Sequence, residues 1–239
     1  MTYSTHSSDL ATQRGNVLFL ILIAVVLFAA LSYAVTQSSR TGGGDAGKET
    51  NLISSAEISQ YPAAVKTAIV RMIIDGTTYE ELKFNPPSAF GALSTTTDGV
   101  FHPDGGAAAY TQASVNIMTS NTPGTWYFNP NFEVKNIGTT TATDPDGNEF
   151  IAFLPGIKQA ICKKVNEEVG IGTTIPTTSG IASTDVDELY DDGDSETIPN
   201  ETAIIGSGAS TGTALAGYPF GCFEASDSVY VYYQVLSER

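Results

Sequence analysis

Residues 13–35 of the chain read QRGNVLFLILIAVVLFAALSYAV, and this stretch decides how the rest of the protein is organised. From Val17 to Val35 it has no charged side chain, and only Ser32 and Tyr33 carry a hydroxyl group. Its 19 residues, at a helical rise of about 1.5 Å each, span about 28 Å, close to the hydrocarbon thickness of a bilayer. The sequence therefore predicts a membrane-spanning helix near the N-terminus.

The remainder of the chain is acidic. Its 239 residues include 11 Lys and Arg against 26 Asp and Glu. Because only Asp9, Arg14 and Arg40 of these precede residue 41, residues 41–239 hold 9 basic and 25 acidic side chains, a formal charge of −16. Binding to phosphates requires a basic face, so this balance argues against a nucleic-acid partner. The sequence thus predicts an acidic domain attached to a membrane.

Three interpretations of the apolar segment stay open. A cleaved secretory signal requires a basic start, a shorter apolar stretch and small residues before the cleavage point. The leader here is nearly neutral, although Ser32 and Ala34 have the required small-x-small spacing. A plain single-pass anchor requires only length and apolarity. The third interpretation depends on the residues that open the apolar run.

The junction at residues 13–20, QRGNVLFL, resembles the leader of type IV prepilins and pseudopilins. In that family a short polar leader ends in Gly, a membrane peptidase cleaves after it, and the apolar helix is kept as membrane anchor and filament core. The resemblance covers only about the first 40 residues. It implies cleavage between Gly15 and Asn16 by a prepilin peptidase-like enzyme, with other pilin-like subunits as partners.

One position departs from the family pattern. Most members have Glu at the fifth residue after the cleavage point, where it neutralises the N-terminal amine of a neighbouring subunit, whereas this chain has Leu20. Some minor pseudopilins of type II secretion also lack this Glu. The resemblance therefore implies a minor subunit rather than a major pilin, held in the bacterial inner membrane with a periplasmic or extracellular head.

Composition divides the whole chain into four predicted segments. Residues 41–47, TGGGDAG, predict an interruption of the helix that acts as a hinge, because successive glycines lose much backbone entropy in a helix. We therefore predict a leader at 1–15, a transmembrane or filament-core helix at 16–40, a glycine-rich hinge at 41–50 and a head at 51–239.

The head has the pattern of an α+β fold, with helices packed on an antiparallel β-sheet. Apolar spacing predicts a helix over 51–74 that Pro62 splits or kinks. A second helix is predicted over 156–168, with Pro155 at its first position and Gly170 at its end. Residues 171–217 are interpreted as a long surface excursion. Strands predicted at 99–102, 125–128, 132–137 and 149–154 suggest a meander, and residues 228–236 predict a final strand.

Cys162 and Cys222 are the only cysteines. If the head lies outside the cytoplasm, a disulfide between them is expected, and it would attach the second helix to the region of the last strand. Two buried free thiols are the alternative. A zinc site is disfavoured, because neither cysteine belongs to a CxxC pair or has a nearby His. A C-terminal disulfide also resembles the bridge found in many pilins.

An acidic run at residues 185–196 contains candidate calcium ligands. Flexible loops with several carboxylates suit hard cations, although the spacing here does not match an EF-hand. A solvated acidic loop is the alternative. A second segment, 144–149, is explained by a hairpin turn. The candidate ligands in the run are Asp187, Asp191, Asp192, Asp194 and Glu196.

No motif predicts an enzyme. Gly208–Gly212 matches GxSxG, but that motif requires an Asp and a His after the Ser, and His102 precedes it. The sequence therefore favours a non-enzymatic, membrane-anchored subunit that resembles minor pilins or pseudopilins. The alternative is a single-pass envelope protein whose extracytoplasmic head binds a sugar, a surface or a protein partner.

Overall fold

A computed structural model describes the backbone of residues 14–138, 148–187, 203–208 and 212–238. Side chains are described over 17–36, 49–138, 148–187, 204–208 and 212–238. Contacts between residues divide the chain into two compact units, Met1–Thr50 and Asn51–Arg239.

A single helix, α1, extends from Arg14 to Ile74. Its backbone stays helical through residues 41–47, so the interruption predicted there from the glycines is wrong. A glycine costs about 1 kcal/mol in a helix interior, and helical residues on both sides offset that cost because propagation is far easier than nucleation. A helical backbone does not test whether the chain bends at residues 41–50, so the hinge predicted there stays a prediction.

The helix also continues through Pro62 without the split that the sequence predicted. Pro62 is buried, and its missing N–H leaves one carbonyl of the preceding turn without its usual donor. Packing of the surrounding turns against the head stabilises the helix on both sides of this position. The buried residues of this stretch are Ser54, Ser55, Ile58, Pro62, Val65, Ala68, Ile69 and Met72.

The apolar spacing of residues 51–74 predicted a wider buried face than the helix has: Val65, Ala68, Ile69 and Met72 are buried, whereas Leu52, Val70 and Ile74 are exposed. Val65 and Ile69 are 0% exposed, whereas Leu52 is 48% exposed. The buried positions at the start of this stretch are Ser54 and Ser55, since the hydroxyl of Ser55 donates to the Glu168 carboxylate at 3.0 Å. Glu168, a polar partner on the second helix of the head, therefore determines which side of α1 faces inward at this point. Hydrophobic periodicity does not reveal such a contact.

Five strands form one curled sheet in the order β3-β1-β2-β5-β4. All neighbouring strands are antiparallel except β3, which lies parallel to β1. The sheet is therefore mixed, and the prediction of an antiparallel sheet is wrong at this edge. The strands are β1 Tyr127–Val134, β2 Glu149–Pro155, β3 Ala203–Ile205, β4 Phe220–Glu224 and β5 Tyr230–Ser237.

The strong β-patterns of the sequence are confirmed, and the weak ones are not. The strands predicted at 149–154 and 228–236 correspond to β2 and β5. The candidates at 125–128 and 132–137 belong to one strand, β1, whose register against β2 shifts between Asn129 and Phe132. The strand predicted at 99–102 is a series of turns, with only Gly99 in a bridge.

The second helix, α2, spans Gln159–Val169 and ends at Gly170, whose left-handed φ of 87° confirms the predicted stop. Its start differs from the prediction. Pro155 is the last residue of β2 rather than the first of the helix, because it still pairs with Val231 of β5.

Buried side chains cover both faces of the sheet. One cluster lies between the sheet and the helices and includes Phe84, Phe128 and Phe150. The other lies on the opposite face, where β1, β2, β4 and β5 contribute Phe132, Phe153 and Phe223. The described parts of residues 171–217 complete this second cluster, so their interpretation as a surface excursion is wrong. Their buried residues in it are Ile181, Val186, Ile205 and Leu215.

Candidate functional site

The part of α1 within the first unit contains the one described helical segment that is long and apolar enough to cross a membrane. It spans Val17–Thr36 with a mean hydropathy of 2.8, and none of it is buried within the chain. Phe28 is 76% exposed and Leu20 is 59% exposed. Apolar side chains on every side of a helix require an apolar environment, either lipid or other helices.

The predicted cleavage point lies at the first turn of this helix. The helical backbone begins at Arg14, so Gly15 and Asn16 are in helical conformation. Processing at this peptide bond stays a prediction. Leu20 offers no charge at the position where most pilin-like chains carry Glu.

The predicted disulfide is confirmed. Cys162 on α2 is bonded to Cys222 on β4, with their Cα atoms 5.4 Å apart. Both cysteines are fully buried. The bridge attaches α2 to the sheet and closes a loop between residues 60 positions apart.

Asn166 supports this bridge, although the sequence analysis did not single it out. Its side-chain amide donates to the Cys222 carbonyl at 2.8 Å, and its Oδ1 accepts from the Cys222 N–H at 2.9 Å. The residue is fully buried one helical turn after Cys162. A polar residue on the apolar face of α2, four positions from a cysteine, is the signal that would have identified it.

The candidate calcium loop lies mostly outside the described residues. Asp187 is exposed at the end of the described range, whereas Asp191, Asp192, Asp194 and Glu196 lie outside it. Within the described part of the chain, no three side chains of His, Cys, Asp or Glu form a metal-binding group. Calcium binding by this run stays a prediction.

The residues of the GxSxG match are only partly described. Gly208 and Gly212 fall in the described ranges, and Ser210 lies outside them. His102 packs against Phe90 with ring centroids 4.7 Å apart, and its Nδ1 accepts from the Asp104 N–H at 3.2 Å. These contacts organise a turn.

A groove of about 280 Å³ lies beside α1 in the second unit. Tyr61 forms one wall and packs on Trp126, with ring centroids 5.4 Å apart. Burial raises the pKa of Tyr61 to about 12, so its hydroxyl is neutral at physiological pH. The polar residues that line the groove are Glu57, Gln60, Thr111, Gln112 and Ser114.

Two carboxyl groups are buried where β1 and β2 approach their connection. Glu149 is 0% exposed and Glu133 is 1% exposed. Glu149 Oε2 accepts from the Val134 N–H at 2.9 Å. Burial raises the pKa of Glu149 to about 7, and the charge of Glu133 adds to that rise. Burial also raises the pKa of Glu133.

No family model matches the chain, and comparison with curated proteins and with solved structures finds no similar protein.

Proposed function

We propose that this protein is a non-enzymatic minor pilin-like or pseudopilin-like subunit, anchored in the bacterial inner membrane and assembled into an envelope filament or secretion apparatus through its N-terminal helix. The head of residues 51–239 would lie in the periplasm or outside the cell. The QRGN junction at residues 13–16 and the apolar run after it support the proposal.

The observation that carries this proposal is the position of the QRGN junction directly before the apolar segment Val17–Thr36, which is helical and unburied within the chain. A plain anchor requires length and apolarity but no Gly before the apolar run. A prepilin-like leader does require this Gly, because its peptidase cleaves after it.

In this proposal the apolar segment has two successive roles. It first holds the subunit in the bilayer, where its side chains contact lipid. It then packs among similar helices when the subunit is extracted into the assembly. Leu20 makes no ion pair with a neighbouring amine, so incorporation depends on apolar packing or on an acid supplied by a partner subunit.

Mass spectrometry of the mature N-terminus tests the proposal. The full chain is expressed in membranes with and without a prepilin peptidase. We expect a new N-terminus at Asn16, N-methylated, only when the peptidase is present. Gly15→Leu should block cleavage, whereas the control Ala34→Leu, which removes the small-x-small spacing of a secretory signal, should leave it unchanged.

Two outcomes contradict the proposal. An N-terminus near Val35 that Ala34→Leu abolishes identifies a secretory signal. A chain that keeps its leader in the presence of active peptidase identifies a plain single-pass anchor, and the head is then a binding domain unrelated to pili.

A further inference from the structure

The groove beside Tyr61 has two walls, both of which belong to the head. One wall is α1, which contributes Glu57, Gln60 and Tyr61, and the other is the segment of residues 111–114. The Thr111 N–H donates to the Tyr61 hydroxyl oxygen at 3.5 Å, so the two walls meet at this side chain. We call this space the Tyr61 groove.

The buried part of the lining is apolar. Ile58 and Ile117 are each 1% exposed, and Trp126 is 2% exposed and packs on the ring of Tyr61. The volume of about 280 Å³ lies just below the roughly 300–1,000 Å³ of sites that hold drug-sized ligands. The Tyr61 groove therefore has room for one small ring with an apolar face rather than for a large cofactor.

The polar part of the lining is exposed and has no partners of its own. Glu57, Gln60 and Gln112 form no hydrogen bond or ion pair within the described part of the chain. Each glutamine amide offers two donors and an acceptor, and the Glu57 carboxylate offers acceptors. A hydroxyl group both donates and accepts, so a ligand with several hydroxyl groups can pair with all three side chains.

The charge of the Tyr61 groove favours an uncharged ligand. Glu57 is the one charged residue among its described lining residues, and none of them is basic. An anion would find no positive partner there and would be repelled by the formal charge of −16 on residues 41–239. A single exposed carboxylate contributes little to the binding of a cation.

An extended peptide is a poorer fit than a compact ring. A peptide strand binds through backbone N–H and carbonyl groups that are free at the edge of its partner. At the groove, the N–H and the carbonyl of Ala113 are both paired with Gly124, at 2.8 and 3.0 Å. The N–H of Ile117 donates to Ser114, and its carbonyl accepts from Lys158. The Tyr61 groove thus offers side chains rather than a backbone edge.

We infer that the Tyr61 groove binds one uncharged sugar ring of a glycan, with the apolar C–H face of the ring against Tyr61 and its hydroxyl groups paired with Gln60 and Gln112. A sugar ring has an apolar face and hydroxyl groups around its edge, and this division matches the apolar and polar parts of the lining. The inference concerns what the head binds, so it does not depend on assembly of the N-terminal helix into a filament.

Titration of the full chain with neutral trisaccharides tests this inference. Trp126 is the only tryptophan of the chain and lines the groove, so its fluorescence reports on a ligand there. The chain is kept in a detergent without a sugar head group, and the probes are the trimers of glucose, mannose, galactose and N-acetylglucosamine. We expect at least one of them to change the emission saturably, with a Kd on the order of 1 mM.

Variants of exposed glutamines locate the site. Gln60→Ala and Gln112→Ala should each weaken binding of that trisaccharide at least about fivefold, because each removes hydrogen bonds to its hydroxyl groups. Both side chains are exposed, so these variants should keep the fold. The matched control is Gln159→Ala, at an exposed position of α2 outside the groove, and it should bind like the unmodified chain.

Three results overturn the inference. The first is the absence of a saturable change with every trisaccharide up to about 50 mM, well above the expected Kd. The second is binding that neither Gln60→Ala nor Gln112→Ala weakens. The third is a response to an uncharged, capped Ser-Thr peptide but to no trisaccharide, which identifies a site for a protein partner instead.

Discussion

At the scale of single residues, Asn166 is the most informative side chain in the head. It replaces a strand partner for Cys222 by pairing with both the N–H and the carbonyl of that residue. The side-chain amide thus makes the two hydrogen bonds that the backbone of a neighbouring strand would otherwise make, although it belongs to a helix. Only a side chain with one donor and one acceptor at this geometry performs this task.

Replacing this amide should destabilise the head substantially. Asn166→Leu leaves a buried N–H and a buried carbonyl of β4 unpaired, so we expect a loss of about 2–4 kcal/mol in the free energy of unfolding. Lys163→Ala, at an exposed position of the same helix, should change it by less than about 0.5 kcal/mol. Urea titration measures both variants, and equal effects would show that the bonds to Cys222 contribute nothing.

Glu149 should make the protein more stable in mild acid than at neutral pH. Its pKa is raised from 4.5 to about 7 in the folded state. Between these values the folded state binds more protons than the unfolded state, so stability falls as pH rises. Denaturant melts at pH 5 and pH 8 should differ by at most about 3 kcal/mol. Glu149→Gln should flatten this difference, and an unchanged pH profile in that variant would refute the assignment.

At the scale of elements, the part of α1 in the head has one buried face and one exposed face. Ile69 is 0% exposed against the sheet, whereas Ile74, five residues later, is 78% exposed. The helix therefore contributes a narrow face to the core. That narrowness explains why periodicity alone assigned too many of its apolar residues to the interior.

The two isoleucines provide a matched pair. Ile69→Ala should lower the free energy of unfolding by about 2–5 kcal/mol, because it removes buried methyl groups and leaves a cavity. Ile74→Ala should change it by less than about 0.5 kcal/mol. Chemical denaturation followed by fluorescence of Trp126 compares them. Similar losses in both variants would mean that α1 does not pack on the sheet at residue 69.

The disulfide is the second test at this scale. Reduction releases a loop between residues 60 positions apart, and the loop model gives a loss of about 4 kcal/mol. Melts with and without dithiothreitol should show a lower midpoint after reduction. As a control, iodoacetamide should label the unfolded chain only after reduction, and labelling without reduction would count against the bridge.

At the scale of the whole molecule, the net charge lies outside the apolar N-terminal segment. The described segment Val17–Thr36 is uncharged and unburied, while residues 41–239 have a formal charge of −16. Such a distribution produces a mean hydropathy of −0.01 that describes neither part.

The full chain should therefore remain with membranes after alkaline carbonate extraction. The double variant Val25→Lys/Phe28→Lys should be released, since each charge at the centre of a spanning helix costs about 2.5–3.5 kcal/mol. Ile74→Lys, at an exposed apolar position outside the segment, serves as control and should stay in the membrane pellet. Release of the unmodified chain would exclude membrane anchoring.

Local sequence patterns predicted the elements that composition, alternation or a stop residue marks clearly. The apolar segment, β2, β5 and the end of α2 at Gly170 follow from composition, alternation and a stop residue, and all appear where expected. The disulfide was predictable because two cysteines allow one pairing. The prediction of a strand at 99–102 is wrong because this run pairs with Lys83 only through an isolated bridge at Gly99.

By itself, the sequence determined a membrane-length helix, a separate acidic α+β head and its single cysteine pair, because these depend on composition and on short-range periodicity. Tertiary structure alone decided that β3 lies parallel to β1, that Asn166 pairs with Cys222, and that the Glu149 carboxylate accepts from the Val134 N–H. Each of these brings together residues distant in sequence. The free energy of such contacts depends on burial and on partners across the sheet, neither of which is encoded in neighbouring residues.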